Sequence, residues 1–202
     1  MLITVGNVGK LGKLSAQLSL QAKASCNPLA IPHCGKKCYA CRGNCALHQL
    51  GKWHDNLVLY RNNPQLFEDL LLAEITAFSL AGGRFFRYFV SGDFPDDNFL
   101  AMTIRIAKKV TNVRFLAFSK QDGIVNKYLA RHKLPENLCI VLSQWRGDFV
   151  PANPHNLPTS NVYGRKEQAP SDGGFICPGK CPECGFRCWS MQAGEKVWFK
   201  EH

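Results

Sequence analysis

Nine of the ten cysteines fall into two short stretches, and the spacing within the two stretches is similar. The first stretch contains Cys26, Cys34, Cys38, Cys41 and Cys45, and the second contains Cys177, Cys181, Cys184 and Cys188. From Cys34 and from Cys177 onward, both read C-x3-C-x2-C-x3-C. Soft metals bind several thiolates at once, and a short loop presents them with little loss of chain entropy. The spacing therefore predicts metal binding by both groups.

Two kinds of metal site fit these thiols. Iron–sulfur clusters accept cysteine thiolates at short, irregular spacings, so one or two clusters, of the 4Fe–4S type, fit the pattern. Zinc is the alternative, because Cys38/Cys41 and Cys181/Cys184 are C-x2-C pairs that could join in one shared site. The tenth cysteine, Cys139, lies in an apolar run, and we expect it to pack in the core.

Composition restricts the class of protein. A chain of 202 residues buries enough apolar surface to fold without disulfides. We see no secretion signal, and no apolar run approaches the roughly 18 residues of a membrane span. We therefore expect a single α/β domain over residues 1–202, in the cytoplasm and without a membrane partner. It would carry an N-terminal cysteine loop at 26–45 and a C-terminal cysteine loop at 177–188.

The net charge of +10 is concentrated near the start, since residues 1–54 contain seven basic side chains and no acidic one. A basic region attracts nucleic acid. This raises the hypothesis of a zinc-stabilised nucleic-acid-binding protein. Phosphates would be contacted by Lys36, Lys37, Arg42 and Lys52, and Tyr39 and Trp53 would be available to stack on bases. A host protein as partner is a third hypothesis.

The elements between the cysteines alternate. The pattern predicts strands at 14–20, 85–90, 113–118 and 138–142, with helices beginning at Pro64, near Asp97 and at Asp122. Strands separated by helices favour parallel pairing, either in a partial (βα) barrel or in an open parallel sheet. Residues 144–174 read as an irregular connection with a short strand near Asn161. We expect Trp189 and Trp198 to pack the C-terminal cysteine loop onto the body.

Polar residues follow several of the predicted strands. Because ligands bind at the carboxyl ends of parallel strands, these positions are candidates for chemistry. Asp93, Ser91 and Lys120 are candidate catalytic residues. Ser91, Gly92, Asp93 and Ser119 are candidate cofactor-binding residues, and the alternative for Asp93 is a cap on the following helix.

The chain resembles the phage and plasmid "gene product eighty-eight" family. The resemblance rests on Cys38-Tyr39-Ala40, on Val90 to Phe94, on Phe118-Ser119-Lys120, on Leu134 to Leu138, and on segments at Cys177-Pro178 and Cys184 to Trp189. It implies an origin in a phage or other mobile element, and it implies no particular reaction. It also implies that Cys26, Cys34 and Cys38 are the ligands, with a fourth from Cys41, Cys45 or the C-terminal group.

More loosely, the chain is similar to the radical S-adenosylmethionine (radical SAM) core. There, a cysteine loop follows the first strand of a partial barrel. Cys34, Cys38 and Cys41 would form that loop and leave one iron open for S-adenosylmethionine. Ser91-Gly92-Asp93 would stand for the motif that contacts this cofactor. If a fourth cysteine instead closes the cluster, the cluster is structural or redox-active.

Overall fold

Capping residues and apolar periodicity shape the middle of the chain as the sequence predicts. The Asn63 side chain accepts the N–H of Leu66 at 3.0 Å, at the start of the helix that begins at Pro64. The Asp96 side chain accepts the N–H of Phe99 at 2.9 Å, at the start of the next helix. Asp96, and not Asp93, is therefore the cap of that helix.

The structure, a computed structural model, describes residues 1–7 and 10–201, without the side chains of residues 7 and 43–48. Within these residues the chain forms eight strands and five α-helices. The strands are β1 (Thr4–Asn7), β2 (Gly12–Leu18), β3 (Phe85–Tyr88), β4 (Arg114–Ser119), β5 (Leu138–Ser143), β6 (Thr159–Tyr163), β7 (Phe175–Ile176) and β8 (Lys196–Lys200). The helices are α1 (Ile31–Cys34), α2 (Gly43–Asn62), α3 (Pro64–Leu80), α4 (Asp97–Lys109) and α5 (Asp122–Leu129).

All eight strands join one sheet in the order β1-β2-β3-β4-β5-β6-β8-β7. β1 pairs with β2 antiparallel, and each of the other neighbouring pairs is parallel. The predicted α/β class with a largely parallel sheet is confirmed. Because β2 to β6 follow one another in chain order, their carboxyl ends form one continuous edge, which we call the carboxyl edge.

The two faces of this sheet are covered differently. Strands added in one direction by right-handed crossovers place their helices on the same face. Phe86, Tyr88 and Phe115 accordingly pack with the helices in the main core. On the opposite face, Leu116, Val141 and Val197 pack with Trp189 and other residues of the C-terminal part of the chain. The indole N–H of Trp189 donates to the Phe86 carbonyl at 3.1 Å, which confirms its predicted packing role.

Several predictions about elements were incomplete or wrong. The first predicted strand begins two residues earlier and ends at Leu18. The longest helix, α2, was not predicted. It begins at Gly43, inside the expected N-terminal cysteine loop, and Gly51 weakens the helical signal of its sequence. Trp198 lies on β8, and its backbone carbonyl accepts the N–H of Cys177, the first residue of the C-terminal loop, at 2.9 Å. Its indole N–H donates to Asp172 at 2.8 Å.

Candidate metal centre at the carboxyl edge

The N-terminal cysteine loop crosses the carboxyl edge of the sheet. It leaves β2, passes through α1 and enters α2 at Gly43. Four contacts join it to residues that follow four other strands. Two are hydrogen bonds: Tyr39 donates to the Val90 carbonyl, and Asn27 donates to the Lys120 carbonyl at 2.6 Å. The His33 ring lies 6.4 Å from the Phe149 ring, and Lys37 forms a salt bridge with Glu201 at 2.7 Å. The loop therefore lies over the ends of β3, β4, β5 and β8, where the sequence placed a ligand site.

Cys26 is held by both of its neighbours. The Ser25 hydroxyl accepts the N–H of Asp93 at 3.2 Å and donates to the Gln21 carbonyl at 3.0 Å. Asn27, on the other side, is bonded to Lys120. Both flanking side chains are buried. The position of Cys26 is thus set by the loops that follow β3 and β4.

Asp93 joins those two loops. Its carboxylate accepts hydrogen bonds from the Ser119 hydroxyl at 2.7 Å, from the Lys120 N–H at 2.7 Å and from its neighbour Phe94 at 2.8 Å. Burial raises the pKa of Asp93 to about 6, although these donors act in the other direction. The contacts make Asp93 a positioning residue for the loops around Cys26. Its predicted catalytic role stays a prediction.

Gly92 is required by close packing. Its φ is +81°, and a Cβ at this position would lie 2.5 Å from the Ser25 hydroxyl oxygen and 2.9 Å from the Leu20 carbonyl oxygen. Only glycine fits both the backbone conformation and the space. The loop after β3 can therefore approach the chain closely at Leu20 and Ser25, just before Cys26.

Ser91 differs from its neighbours, because its hydroxyl is buried and has no hydrogen-bond partner among the residues that the structure describes. Most buried polar groups are paired, so an unpaired one at a candidate site is informative. The Ser91 hydroxyl is a donor and acceptor available to a ligand at this edge. Its predicted role in binding a cofactor is not tested by this observation.

The thiols of the N-terminal loop lie within electrostatic reach of one another. Burial, and then the Asp93 charge, raise the pKa of Cys26 to about 12, and Cys38 and Cys34 add to this. The pKa of Cys34 is raised by burial, and Lys120 opposes the shift. The pKa of Cys41 is raised by burial and by the Cys38 charge, with Lys23 and Arg42 opposing. The Cys45 side chain lies outside the described residues.

The chemistry of this donor set is that of a thiolate metal site. Thiols are the ligands of iron–sulfur clusters and of zinc, and Lys23, Arg42 and Lys120 bring positive charge to them. Across residues 1–7 and 10–201, without the side chains of residues 7 and 43–48, no three His, Cys, Asp or Glu side chains are arranged as ligands of one metal ion. Metal binding by this loop remains a prediction.

The two cysteine groups are separate. Cys181 N–H donates to the Lys10 carbonyl at 2.8 Å, just before β2 begins, whereas the N-terminal loop leaves β2 at its other end. The seven residues of β2 span about 20 Å. The C-terminal group is therefore too far away to share a metal with Cys38 and Cys41, and it does not supply their fourth ligand. The hypothesis of one shared site was wrong.

The residues proposed for nucleic-acid contact are largely occupied elsewhere. Trp53 is buried against Ala22 and Ala40, so it is not available to stack on bases. Lys52 donates to the Ile3 carbonyl at 2.6 Å, and Lys37 pairs with Glu201. Arg42 donates to the Lys36 carbonyl. These contacts weaken the case for a phosphate-binding surface at these residues.

The comparison with known proteins identifies a family. A family model, described as Gene product 88, matches residues 2–148 of this chain. The chain belongs to the Gene product 88 family. The phage and plasmid family expected from the sequence is thus confirmed. No curated protein and no solved structure matches the chain at a significant level.

The Gene product 88 match includes the N-terminal cysteine loop together with Ser91, Asp93 and Lys120. It ends before Cys177, so the C-terminal landmarks of the predicted resemblance lie outside it. In the part of the chain that the structure describes, no helix has both the length and the apolar character needed to cross a bilayer.

Sequence reasoning missed the residues that hold Cys26 in place. Ser25 and Asn27 make the bonds that seat this cysteine on β3 and β4, and neither was singled out. Their residue types could have indicated this role, because small polar side chains such as Ser and Asn often bond to backbone groups. The strands that they contact lie about 70 and 90 residues further along the chain.

Proposed function

We propose that this Gene product 88 protein binds an iron–sulfur cluster at the carboxyl edge of its sheet, through the thiolates of Cys26, Cys34 and Cys38. The main support for the proposal is the set of hydrogen bonds that attach the N-terminal cysteine loop to the sheet. Asp93 and Asn27 fix the segment around Cys26 to the ends of β3 and β4, next to the other two thiols. Such a cluster, when bound, supplies one-electron transfer.

The surroundings of the thiols favour an anionic centre. Lys120 lies near Cys34, and Lys23 and Arg42 lie near Cys41, so positive charge is available to offset thiolates. Ala22, Ala40 and Trp53 form an apolar layer against Cys38 and Cys41. The apolar layer limits the access of water to the thiols, and the cations balance their negative charge. Both conditions suit a buried cluster.

We infer further that S-adenosylmethionine is the ligand class of this site, as in the radical SAM core. Two features support the inference. The cysteine loop follows the first strand of a parallel series that continues in chain order to β6. The Ser91 hydroxyl, buried and without a partner among the described residues, lies in the loop that touches the segment before Cys26. It is available to a polar group of the cofactor.

Metal analysis of the whole protein, purified and reconstituted without oxygen, tests the cluster. We expect iron and sulfide in equal amounts, broad visible absorbance and an electron paramagnetic resonance signal after reduction. Cys26→Ser, Cys34→Ser and Cys38→Ser should each lose the iron. Cys139→Ser is the matched control, because Cys139 belongs to the core of the opposite face. Zinc in place of iron at this loop, or full iron retention in all three variants, would refute the proposal.

A fourth ligand, Cys41 or Cys45, decides whether the cluster is open or closed. If neither is a ligand, Cys41→Ser and Cys45→Ser retain their iron, and the reduced protein binds S-adenosylmethionine in a titration. We expect this binding to change the resonance spectrum, to disappear without the cluster and to weaken in Ser91→Ala. Loss of iron in Cys41→Ser or in Cys45→Ser, together with no binding of S-adenosylmethionine to the wild type, would show a closed cluster and overturn the inference.

A further inference from the structure

The edge of the sheet opposite to the N-terminal cysteine loop is strongly basic. The amino ends of β2, β3, β4 and β5 form this edge, because these four strands are parallel neighbours. The segments around their starts, residues 11–14, 81–85, 108–114 and 130–138, contain seven basic side chains and one acidic side chain, that of Glu136. We call the seven basic residues the amino edge surface. They are Lys13, Arg84, Lys108, Lys109, Arg114, Arg131 and Lys133.

The charge of the amino edge surface is not neutralised within the chain. All seven residues are exposed, and none of them forms a salt bridge with a residue that the structure describes. Lys109 helps to lower the pKa of Glu68, but that carboxylate is already paired with Arg105. Exposed cations without acidic partners produce a positive field that attracts anionic macromolecules.

Backbone hydrogen bonds hold three of these residues on adjacent strands. The Arg84 N–H donates to the Leu14 carbonyl at 3.0 Å, and the Arg114 N–H donates to the Arg84 carbonyl at 2.8 Å. Lys13, Arg84 and Arg114 therefore lie at the starts of β2, β3 and β4, which are spaced about 4.8 Å apart. Three cations are thus placed within about 10 Å along a rigid sheet edge.

Asn137 fixes the end of α4 against the same edge. Its side-chain amide donates to the carbonyls of Ala107, Val110 and Val113 at 2.9, 3.2 and 3.0 Å. The two lysines between Ala107 and Val110 are thereby kept next to the start of β4.

The helix dipole explains only part of this charge. Cations near the end of a helix are stabilised by its last carbonyl groups, which accounts for Lys108 and Lys109 at the end of α4. It does not account for Lys13, Arg84 and Arg114, because these residues precede or begin strands. Their charges are available to an anionic partner.

We propose that the amino edge surface binds double-stranded nucleic acid through its phosphates, without recognising the base sequence. Lysine and arginine are the usual phosphate-contacting side chains. A surface for single strands would offer aromatic rings to the bases, and none of the seven residues has one. The His132 ring, between Arg131 and Lys133, packs against Tyr128 with centroids 4.8 Å apart.

A cleft beside the surface adds further phosphate-binding groups. It lies between the ends of α3 and α4 and is lined by Ser79, Lys109, Thr111 and Asn112, among others. Hydroxyl, amide and ammonium groups of this kind donate to phosphate oxygens.

The proposal is separate from the proposed cluster. The amino edge lies about 20 Å from the carboxyl edge, since β2 spans that length. It also shares no residue with the phosphate-contacting set expected from the sequence, which was Lys36, Lys37, Arg42 and Lys52.

A binding titration of the whole protein against a labelled DNA duplex of about 30 base pairs tests the proposal. We expect binding at about 50 mM salt that weakens by about 10²- to 10³-fold at about 200 mM, the response to roughly five phosphate contacts. A second duplex of unrelated sequence should bind equally well.

The double variant Arg84→Gln/Arg114→Gln locates the contacts. We expect weaker binding, and a slope of log affinity against log salt that is smaller by about two. Arg165→Gln/Lys166→Gln is the matched control, because it removes the same charge from exposed residues that follow β6, at the carboxyl edge. The control should keep the wild-type slope.

A second measurement uses the unmodified sequence, so it does not depend on how the variants fold. Lysine acetylation is followed by mass spectrometry with and without the duplex. Bound DNA should protect Lys13, Lys108, Lys109 and Lys133, while Lys166 reacts as it does in the free protein.

Three outcomes would overturn the proposal: no binding to either duplex at about 50 mM salt, equal loss of binding in the two double variants, or protection of Lys166 in place of the amino edge lysines. Tighter binding to polyglutamate or to anionic lipid vesicles than to the duplex would also overturn it, in favour of an acidic protein or a membrane. Because no readout uses iron, failure of the cluster proposal leaves this result readable.

Discussion

The side-chain amide of Asn27 donates to the backbone carbonyl of Lys120 at 2.6 Å, across 93 residues of sequence. This bond joins the residue after Cys26 to the end of β4. On the other side of Cys26, the Ser25 hydroxyl accepts the N–H of Asp93. The backbone around this thiol is therefore held from two directions before any metal binds, and pre-positioned ligands of this kind reduce the entropy lost on metal binding.

Asn27→Asp tests the Asn27–Lys120 bond. The substitution keeps the acceptor that receives the Leu29 N–H at 2.9 Å but replaces the donor with an oxygen that faces the Lys120 carbonyl. We expect a loss of about 1–3 kcal/mol in the free energy of unfolding, and faster release of iron to a chelator. Asn126→Asp is the control, because Asn126 makes a similar bond to Ala152, away from the cysteines. Equal iron release from the two variants would contradict the assignment.

Asp93→Asn tests the junction between the loops after β3 and β4. An amide group in this position meets three donors with a single acceptor oxygen, so at least one buried donor loses its partner. We expect chemical denaturation to show a loss of about 1–3 kcal/mol, accompanied by lower iron content.

Asp96→Asn is the comparison for Asp93→Asn, because asparagine still caps a helix and this site does not touch the loop around Cys26. We expect this variant to keep its iron. An Asp93→Asn protein with wild-type stability and iron content would show that Asp93 does not position the loop.

Gly92→Ala tests the close approach beside Cys26. The new methyl group would collide with Leu20 and Ser25, and the positive φ adds strain. Gly82→Ala is the matched control, since Gly82 also has a positive φ, of +90°, but nothing lies within 4 Å of its Cβ position. We expect the left-handed backbone to cost both variants about 1–2 kcal/mol. Gly92→Ala should lose about 1–3 kcal/mol more in thermal or urea unfolding, together with its iron. Equal losses of stability in Gly92→Ala and Gly82→Ala would contradict the conclusion that close packing requires glycine at position 92.

Glu68→Gln tests a pH dependence in the helical layer. The Glu68 carboxylate on α3 receives two hydrogen bonds from the Arg105 guanidinium on α4, and these hold the pKa of Glu68 below its usual range. Because the folded pKa is lowered, this pair stabilises the protein above the unfolded pKa of about 4.3. That contribution disappears as the pH falls through the folded pKa.

Urea unfolding at a series of pH values measures this effect. We expect Glu68→Gln to be less stable than the wild type at neutral pH, and the difference to shrink as the pH falls from about 5 to 3. Asp69→Asn, which removes an exposed neighbouring carboxylate, should keep the wild-type dependence. A constant difference between Glu68→Gln and the wild type across this range would refute the assignment.

Sequence patterns predicted the βα units well where the signals are local. The helix starts predicted at Asn63-Pro64 and Asp96-Asp97 are confirmed, because each capping side chain bonds to an N–H only three residues away. α2 was missed because tertiary packing, rather than strong local propensity, stabilises it. β8 does contain strand-forming residues, Val197 to Phe199, but the run is short and lies next to the cysteine-rich segment. β8 pairs with β6, and α2 packs its Trp53 and Leu57 into two different apolar groups.

By itself, the sequence determined the two groups of thiols and the alternation of strands and helices that brings polar residues to one edge of a sheet. Thiol spacing along a short loop is a local property, and so is the apolar period of each element. The tertiary structure alone decided that the two groups are about one strand length apart. It also decided that the residues on either side of Cys26 are bonded to the loops that follow β3 and β4. These relationships depend on strand order and on which face each side chain occupies, and residues far apart in the chain set both.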